Sequence, residues 1–247
     1  MLVMRANIFK TLFAICGICA LAPAFSQGPA SNQMASFNVS PLRIDLVQGQ
    51  SSNQLFVRNN SAGQLALQVR LFAWSQNGGA DQFVPSKDFV ISPSIVRVDP
   101  QQTQTFHVIA QQSHLATDEN AYRVVIDQLP GAEAAISGAT QTRLRLTVPL
   151  FAGGQDAAPA KLRFAIVGET LIIHNDGARA ARINNVKLQV GSQEITLPSN
   201  TGPRAVLKNS AVHWTLPQSF TCSDMPVRVL ARIDQKTLND AALQTCP

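Results

Sequence analysis

The residues that most often carry out chemistry are few in this chain, and their spacing does not suit catalysis. None of the short motifs that mark acyl transfer, zinc-dependent hydrolysis, dinucleotide binding or phosphate binding occurs. No two histidines have the short spacing that a metal site needs. They are His107, His114, His174 and His213. We therefore predict that the chain is not an enzyme and that it holds no metal and no cofactor.

Residues 1–26 have the composition of a secretory signal peptide. Arg5 and Lys10 give a positive start, and the apolar run over residues 11–22 is too short to cross a bilayer. Either Ala22-Pro23-Ala24 or Ala24-Phe25-Ser26 matches the small-residue pattern at which signal peptides are cleaved. The alternative is a retained membrane anchor, which the short apolar run disfavours. We expect an exported protein that is not inserted in a membrane after cleavage.

The cysteines divide into two pairs. Cys16 and Cys19 lie in the apolar run and are expected to leave with the signal peptide. Cys222 and Cys246 remain, and they are too far apart for a CxxC redox motif and too few for a zinc site. Because an exported protein meets an oxidising compartment, we predict a structural disulfide between Cys222 and Cys246.

Composition excludes several classes of protein. The chain has 247 residues, of which 45% are hydrophobic and 14% charged, and its formal net charge is +5. Intrinsic disorder needs low hydrophobicity and high net charge. Collagen, coiled coils and solenoids need a fixed repeat, which the sequence does not contain. The basic residues are scattered rather than clustered with aromatic residues, so we predict no nucleic-acid partner.

Strict alternation of apolar and polar residues predicts strands throughout the mature chain. From Phe37 to Pro149 the alternation forms about seven short segments separated by turn residues, which is typical of an immunoglobulin-like sandwich. An eight-stranded barrel is the alternative. The first segment is interrupted at Pro41 and resumes on the opposite parity, which predicts a strand that passes from one sheet to the other.

A second β-rich region follows a segment of small residues. Residues 151–160 read FAGGQDAAPA, which is typical of a linker or hinge, and alternation then returns. The predicted fold is all-β, with two immunoglobulin-like β-sandwich domains joined by a short hinge. The signal peptide would occupy residues 1–26, the N-terminal domain 27–150, the linker 151–160 and the C-terminal domain 161–247.

Four segments in order resemble the periplasmic chaperones of chaperone–usher pilus assembly. They are SPLRIDL at 40–46, DFVISPSIVRVDPQQ at 88–102, YRVVIDQLP at 122–130 and TRLRLTVP at 142–149. One departure is Gln101, where the family usually has glycine. The segments at 37–43 and 72–76 are more similar to the archaic branch of that family.

The resemblance implies a function as well as a fold. Members are L-shaped with a cleft between the domains, and they bind pilus subunits whose own sandwich lacks a strand. The chaperone donates a β-strand to the subunit, which is β-augmentation, and a basic pair in the cleft anchors the subunit's C-terminal carboxylate. The complex is delivered to an outer-membrane usher. The resemblance therefore implies a location in the periplasm, with pilus subunits and the usher as partners.

The site residues that the resemblance implies are two arginines. Arg43 matches the family's basic residue on the first strand, and Arg145 matches the basic residue on the last strand of the first domain. Arg143 is the alternative if the register shifts by two residues. A guanidinium can bind a carboxylate through two charge-assisted hydrogen bonds.

The donor strand that the resemblance implies precedes Arg145. Its alternate positions are Ile136, Gly138, Thr140, Thr142 and Leu144. Among the first four only Ile136 is large, whereas the family commonly has several bulky apolar residues. Val148 stands where many members have a basic residue, so an interdomain ion pair of that kind is not expected here.

Two other functions remain as alternatives. A secreted two-domain structural or adhesive protein would need no free C-terminus on its partner. A secreted hydrolase would need a triad assembled from distant residues.

Overall fold

The computed structural model describes residues 36–111, 118–130, 143–197, 204–223 and 225–245, and within them the chain forms strands and no α-helix. These residues accordingly include no helix that could span a membrane. The first ten strands are β1 (Phe37–Ser40), β2 (Ile44–Leu46), β3 (Ser52–Asn59), β4 (Leu65–Asn77), β5 (Ala80–Pro85), β6 (Phe89–Ser92), β7 (Ile95–Val98), β8 (Thr103–Ala110), β9 (Asn120–Gln128) and β10 (Arg145–Ala152). The other eight are β11 (Leu162–Val167), β12 (Thr170–Asn175), β13 (Ala181–Val190), β14 (Gln193–Thr196), β15 (Arg204–Val206), β16 (Ser210–Thr215), β17 (Val227–Ile233) and β18 (Lys236–Thr245).

Strands β1–β10 form the first sandwich, which consists of two sheets around one core. One sheet has the order β1-β3-β8-β6, and the other has the order β2-β10-β9-β4-β5 with β7 also paired to β4. Leu55 and Phe106 from the first sheet share a core with Leu67 and Ile126 from the second. Because two separate sheets enclose this core, the region is a sandwich and not a closed barrel, as the spacing of the segments predicts.

The segment around Pro41 passes between the two sheets. Before it, β1 pairs antiparallel with β3, and after it, β2 pairs parallel with β10 in the other sheet. The change of parity is thereby explained, since a one-residue shift turns the opposite set of side chains toward the core. The predicted change of sheet at Pro41 is confirmed.

Strands β11–β18 form the second sandwich. Its strands are hydrogen-bonded in the order β14-β13-β17-β18-β11-β12-β16, with β15 paired to β13. Ile195 on β14 and Trp214 on β16 belong to one core although they lie at opposite ends of this order, so the sheet folds over on itself. The buried Asn175 side chain binds the backbone carbonyl groups of Arg179 and Val206 and accepts from the amide of Lys161, which holds the start of this region in place.

The first part of the predicted linker, residues 151–154, is closely packed, and most of the remainder is exposed. Its first two residues, Phe151 and Ala152, belong to β10 and are buried. Gly154 has a φ of +68° and lies against the backbone of Glu119, where a Cβ would clash. All the described residues belong to one compact unit. The domain limits drawn from the sequence stay a prediction.

Candidate functional site

Two arginines lie on one face of the second sheet of the first sandwich. Ile44 of β2 is opposite Leu150 of β10, and Pro149 of β10 is opposite Arg123 of β9. One residue before the Ile44–Leu150 pair, the same register places Arg43 opposite Pro149. Arg43, Pro149 and Arg123 therefore lie in one row across the sheet. Residues in one row point to the same face, and neighbouring strands are about 4.8 Å apart. The two arginines are therefore about 10 Å apart at the backbone, and the short side chain of Pro149 lies between them.

Aromatic rings support both guanidinium groups. The guanidinium carbon of Arg43 lies 4.4 Å from the ring centroid of Phe151, and that of Arg123 lies 3.7 Å from the ring centroid of Trp74. The centroids of the two rings are 6.1 Å apart. Ala121 is opposite Phe151 on the neighbouring strand, and its small side chain leaves room for the two rings to approach. Each arginine thus has a cation–π contact that restricts its side chain.

Both arginines line one cavity of about 270 Å³ between the two sandwiches. The lining from the first sandwich consists of Leu42, Arg43, Trp74, Arg123, Thr147, Pro149 and Phe151, and that from the second of Ala180, Ala181, Arg182 and Ala205. Its lining combines three arginines and one threonine with apolar residues, and it contains no carboxylate side chain among the described residues. Such a site suits a small anion attached to an apolar group.

The charges of the two arginines are compensated differently. The Nε of Arg43 donates to both carboxylate oxygens of Asp45, at 2.9 and 2.8 Å. Burial lowers the pKa of Arg43, but the hydrogen bond and charge of Asp45 outweigh burial and raise it overall. Arg123 has no ion pair among the described residues, and burial lowers its pKa despite the more distant charge of Asp81.

Arg145 lies in a different environment. Its Nε donates to Oδ1 of Asp127 at 2.5 Å, and the other oxygen of Asp127 accepts from Arg70 at 2.5 Å. Burial raises the pKa of Asp127, but the hydrogen bonds from Arg145 and Arg70 outweigh it and hold the pKa below its usual value. The Arg145 side chain is 64% exposed.

The structure does not bring Arg43 and Arg145 into one cavity. Arg145 and the alternative residue Arg143 line a separate surface cavity of about 440 Å³. Arg145 precedes Pro149 by four residues on β10, which at about 3.3 Å per residue places it roughly 13 Å from the row that contains Arg43 and Arg123. The basic pair implied by the resemblance is therefore split between two sites.

Arg123 and Arg182 are residues of this site to which the sequence analysis assigned no role. Arg123 contacts Trp74. Arg123 occurs inside the YRVVIDQLP segment, between Tyr122 and Val124, which are both buried. A charged residue between two core residues points to the outer face of its strand. The outward direction of Arg123 could be predicted from this alternation. The cavity that it lines could not, because part of its lining comes from the second sandwich.

The first half of β10 has a free edge. β2 pairs only with Leu150–Ala152 of β10, so residues 145–149 have no partner strand on that side among the described residues. Leu146 lies on this edge and is 38% exposed. An unpaired edge presents backbone N–H and C=O groups that can accept another strand.

Several predicted site residues lie outside the described residues. They are Ile136, Gly138, Thr140, Thr142 and Cys246. The last donor-strand position, Leu144, is described and packs against the core of the first sandwich. Cys222 is disulfide-bonded, and its pairing with Cys246 stays a prediction.

Hydrogen bonds join the two sandwiches beside the cavity. The side-chain amide of Gln76 donates to the carbonyl of Ala205 at 2.8 Å and accepts from the amide of Leu207 at 2.9 Å. Glu119 accepts from the amide of Ala180 at 2.6 Å. Burial raises the pKa of the Glu119 carboxyl, although this hydrogen bond opposes the shift. These contacts hold the walls of the cavity together.

Solved structures with a similar fold are chaperones of pilus assembly. One is the CsuC–CsuE chaperone–tip adhesion subunit pre-assembly complex from the archaic chaperone-usher Csu pili of Acinetobacter baumannii, with a TM-score of 0.67 and 19% identity over 85% of this chain and 100% of that one. Another is the SafB chaperone in complex with SafA pilin of Salmonella enterica, with a TM-score of 0.62 and 16% identity over 85% and 98% of the chains. The E. coli chaperone DraB gives a TM-score of 0.61 and 18% identity over 86% and 98%.

These similarities agree with the all-β fold of two immunoglobulin-like domains predicted from the sequence. No curated protein sequence matches this chain. A family model does match, over residues 36–154, and it describes the pili and flagellar-assembly chaperone, PapD N-terminal domain. Residues 36–154 of this chain are therefore similar to the N-terminal domain of pili and flagellar-assembly chaperones.

Proposed function

We propose that this protein is a periplasmic chaperone that captures pilus subunits and delivers them to an outer-membrane usher. The observation that carries the proposal is the free edge of β10 beside a basic cavity. Two independent sites for one extended partner therefore lie on the same sheet. The chain acts by binding and not by catalysis, and the donated strand would include residues 136–144 and the adjoining edge.

Strand donation follows from the chemistry of a sheet edge. A subunit whose sandwich lacks a strand exposes both a hydrophobic groove and unpaired backbone groups, which favour aggregation. A strand added from β10 would satisfy the backbone groups of the subunit, and alternate side chains would fill its groove. Leu146, exposed on the unpaired edge, is the described residue best placed for such a contact.

The cavity would hold the C-terminal carboxylate of the subunit. Arg43 is oriented there by Asp45 and Phe151, so its guanidinium is positioned before the ligand arrives. The resemblance assigns the second cation to Arg145, which lines a separate cavity. Anchoring one end of the partner would also set the register in which its strand pairs with β10.

The proposal is tested by subunit capture in the periplasm. The tagged protein is co-expressed with the subunit genes of its operon, purified, and analysed by intact-mass spectrometry. We expect the wild type to purify with a stoichiometric partner. We expect Leu146→Glu to lose this partner, because its carboxylate would have to be buried in the apolar groove of the subunit. Ile95→Glu is the matched control, since Ile95 is also an exposed apolar strand residue of the first sandwich.

Two results would contradict the proposal. One is recovery of the wild-type protein without a partner, or from outside the cell, which would favour the structural or adhesive alternative. The other is equal capture by the Leu146→Glu and Ile95→Glu variants.

A further inference from the structure

We propose that Asn77 is a site of spontaneous deamidation, at the tip of the hairpin that joins β4 to β5. Asn77 is the last residue of β4, and Gly78 and Gly79 form the two-residue turn that follows it. Asn77-Gly78 is the one Asn-Gly pair in the sequence. The proposal is independent of the function proposed above, because the reaction needs only this chain and water.

The reaction is an attack by a backbone nitrogen on a side chain. The amide nitrogen of Gly78 forms a bond to Cγ of Asn77, the bond from Cγ to Nδ2 breaks, and the amide proton of Gly78 leaves with Nδ2 as ammonia. The product is a cyclic succinimide, which water then opens at one of its two carbonyl carbons. Opening at Cγ gives aspartate. Opening at the backbone carbonyl carbon gives isoaspartate, in which the main chain runs through Cγ.

The fold leaves both reacting groups accessible. Asn77 and Gly78 are exposed, and a Cβ at Gly78 would meet open space. Neither the Asn77 side chain nor the Gly78 amide takes part in a hydrogen bond among the described residues. The φ angles of Gly78 and Gly79 are +58° and +81°, as two-residue hairpin turns require. Because glycine has no Cβ, no side chain shields the attacking nitrogen.

A second pair in the chain could form the same ring, but the fold protects it. Asp176-Gly177 would cyclise with loss of water. The Gly177 amide, however, donates to Oδ1 of Asn175 at 2.9 Å, and the Asp176 carboxylate accepts from Nη2 of Arg163 at 3.0 Å. A Cβ at Gly177 would clash with the backbone of a neighbouring segment, so the surroundings are also tight. The fold therefore leaves the hairpin pair as the reactive one.

The modification would affect a contact between the two sandwiches. Gly79 lies against the ring of His213, and its carbonyl accepts from Nη2 of Arg204 at 3.3 Å. Isoaspartate adds one carbon atom to the main chain just before the turn, so the pairing of Asn77 with Ala80 cannot keep its register. We expect the bond from Arg204 to be lost in consequence. Aspartate leaves the main chain unchanged and should keep this bond.

Incubation of the full mature protein at mildly alkaline pH tests the proposal, because the attacking nitrogen must lose its proton. One sample is kept folded and another is unfolded in urea. Proteolytic peptides are analysed by mass spectrometry, and isoaspartate is distinguished from aspartate by labelling with an isoaspartyl methyltransferase. Asn77→Gln is the control variant, because its side chain would have to close a larger ring. Asn38 is the internal control, since it is exposed on β1 and followed by a β-branched residue that shields the next nitrogen.

In the folded protein we expect conversion of Asn77, with release of one ammonia per converted chain, and no reaction at Asn38 or Asp176. In urea Asp176 should react as well, because its protecting contacts are lost. Asn77→Gln should abolish the ammonia release of the folded protein. The isoaspartate fraction, separated by chromatography, lacks one hydrogen bond between the sandwiches, so its urea midpoint should be lower by about 0.5 M. Freshly purified Asn77→Asp should unfold like the wild type.

The proposal is overturned if Asn77 stays intact in the folded protein, because the fold would then protect it. Equal conversion of Asn38 and Asn77 would overturn it too, since the hairpin would confer no selectivity. A urea midpoint of the isoaspartate fraction equal to that of Asn77→Asp would refute the predicted effect on the contact between the sandwiches.

Discussion

Replacing Gln76 with alanine is expected to weaken the contact between the two sandwiches. The Gln76 side chain bridges the first sandwich to the backbone of the second, through one bond to the carbonyl of Ala205 and one from the amide of Leu207. Alanine removes the side-chain donor and the side-chain acceptor of these two bonds at once. The backbone groups of a buried segment would then lack hydrogen bonds, because Leu207 is only 5% exposed.

The size of the effect follows from these two bonds. A neutral hydrogen bond contributes about 1 kcal/mol net, and a buried group left without a partner costs about 1–3 kcal/mol. Gln76 is half-buried, so water will reach part of the site, and we expect a loss of about 2 kcal/mol in the free energy of unfolding. With a slope of about 2 kcal/mol per molar in urea, the midpoint should fall by about 1 M.

The measurement is equilibrium unfolding in urea, followed by tryptophan fluorescence and circular dichroism with the disulfide intact. Trp74 reports on the interface and Trp214 on the core of the second sandwich. Gln54→Ala is the matched control, because Gln54 is exposed on β3, and surface substitutions usually change stability by less than about 0.5 kcal/mol. A midpoint for Gln76→Ala that equals that of Gln54→Ala would refute the reasoning.

Three further predictions concern the same framework. The fold raises the pKa of Glu119. The melting temperature should therefore decline as pH rises above about 4.3, the ordinary pKa of this carboxyl. In Glu119→Gln this part of the decline should disappear. Asp127 should have the opposite effect, because the fold lowers its pKa. Its carboxylate should stabilise the protein above its ordinary pKa of about 3.9 and lose that effect on acidification. In Asp127→Asn the fall in melting temperature at acid pH should be smaller. Gly79→Ala should destabilise the protein by about 1–3 kcal/mol more than Gly78→Ala, because both glycines have positive φ but only a Cβ at Gly79 would overlap the ring of His213.

Each of these three has an outcome that contradicts it. Melting curves of Glu119→Gln that follow the wild type at every pH would mean that this carboxyl is not desolvated by the fold. An unchanged acid limb in Asp127→Asn would mean that the two arginines do not act on it. Equal unfolding midpoints for Gly79→Ala and Gly78→Ala would mean that the ring of His213 does not obstruct a Cβ at position 79.

Local patterns predicted the strands because burial of a sheet face leaves a period of two in the sequence. Leu55 and Val57 are fully buried while Phe56 between them is 38% exposed, and that alternation can be read without knowing the partner strand. The change of parity at Pro41 predicted the change of sheet for the same reason. The motif order likewise indicated the resemblance to pilus-assembly chaperones, which the family model supports over residues 36–154, since turns and strand ends depend on local residue types.

Local patterns did not predict which arginines share a cavity. Arg43 and Arg123 are eighty residues apart in sequence, and they meet because β2 and β9 both pair with β10 in one register. A different register along β10 would have brought Arg145 to this row instead. No local pattern encodes that choice, because it depends on how many residues of each strand precede the common row.

The sequence by itself therefore determined the all-β class, the sheet change at Pro41 and the resemblance to pilus-assembly chaperones, all of which depend on alternation and local turns. Only the tertiary structure decided which cations share a cavity and which carboxylates compensate them. The physical reason is that side chains meet across strands through long-range pairing, and the cavity has walls from both sandwiches. Arg43, Arg123 and Ala180 line it together although they come from three distant parts of the chain.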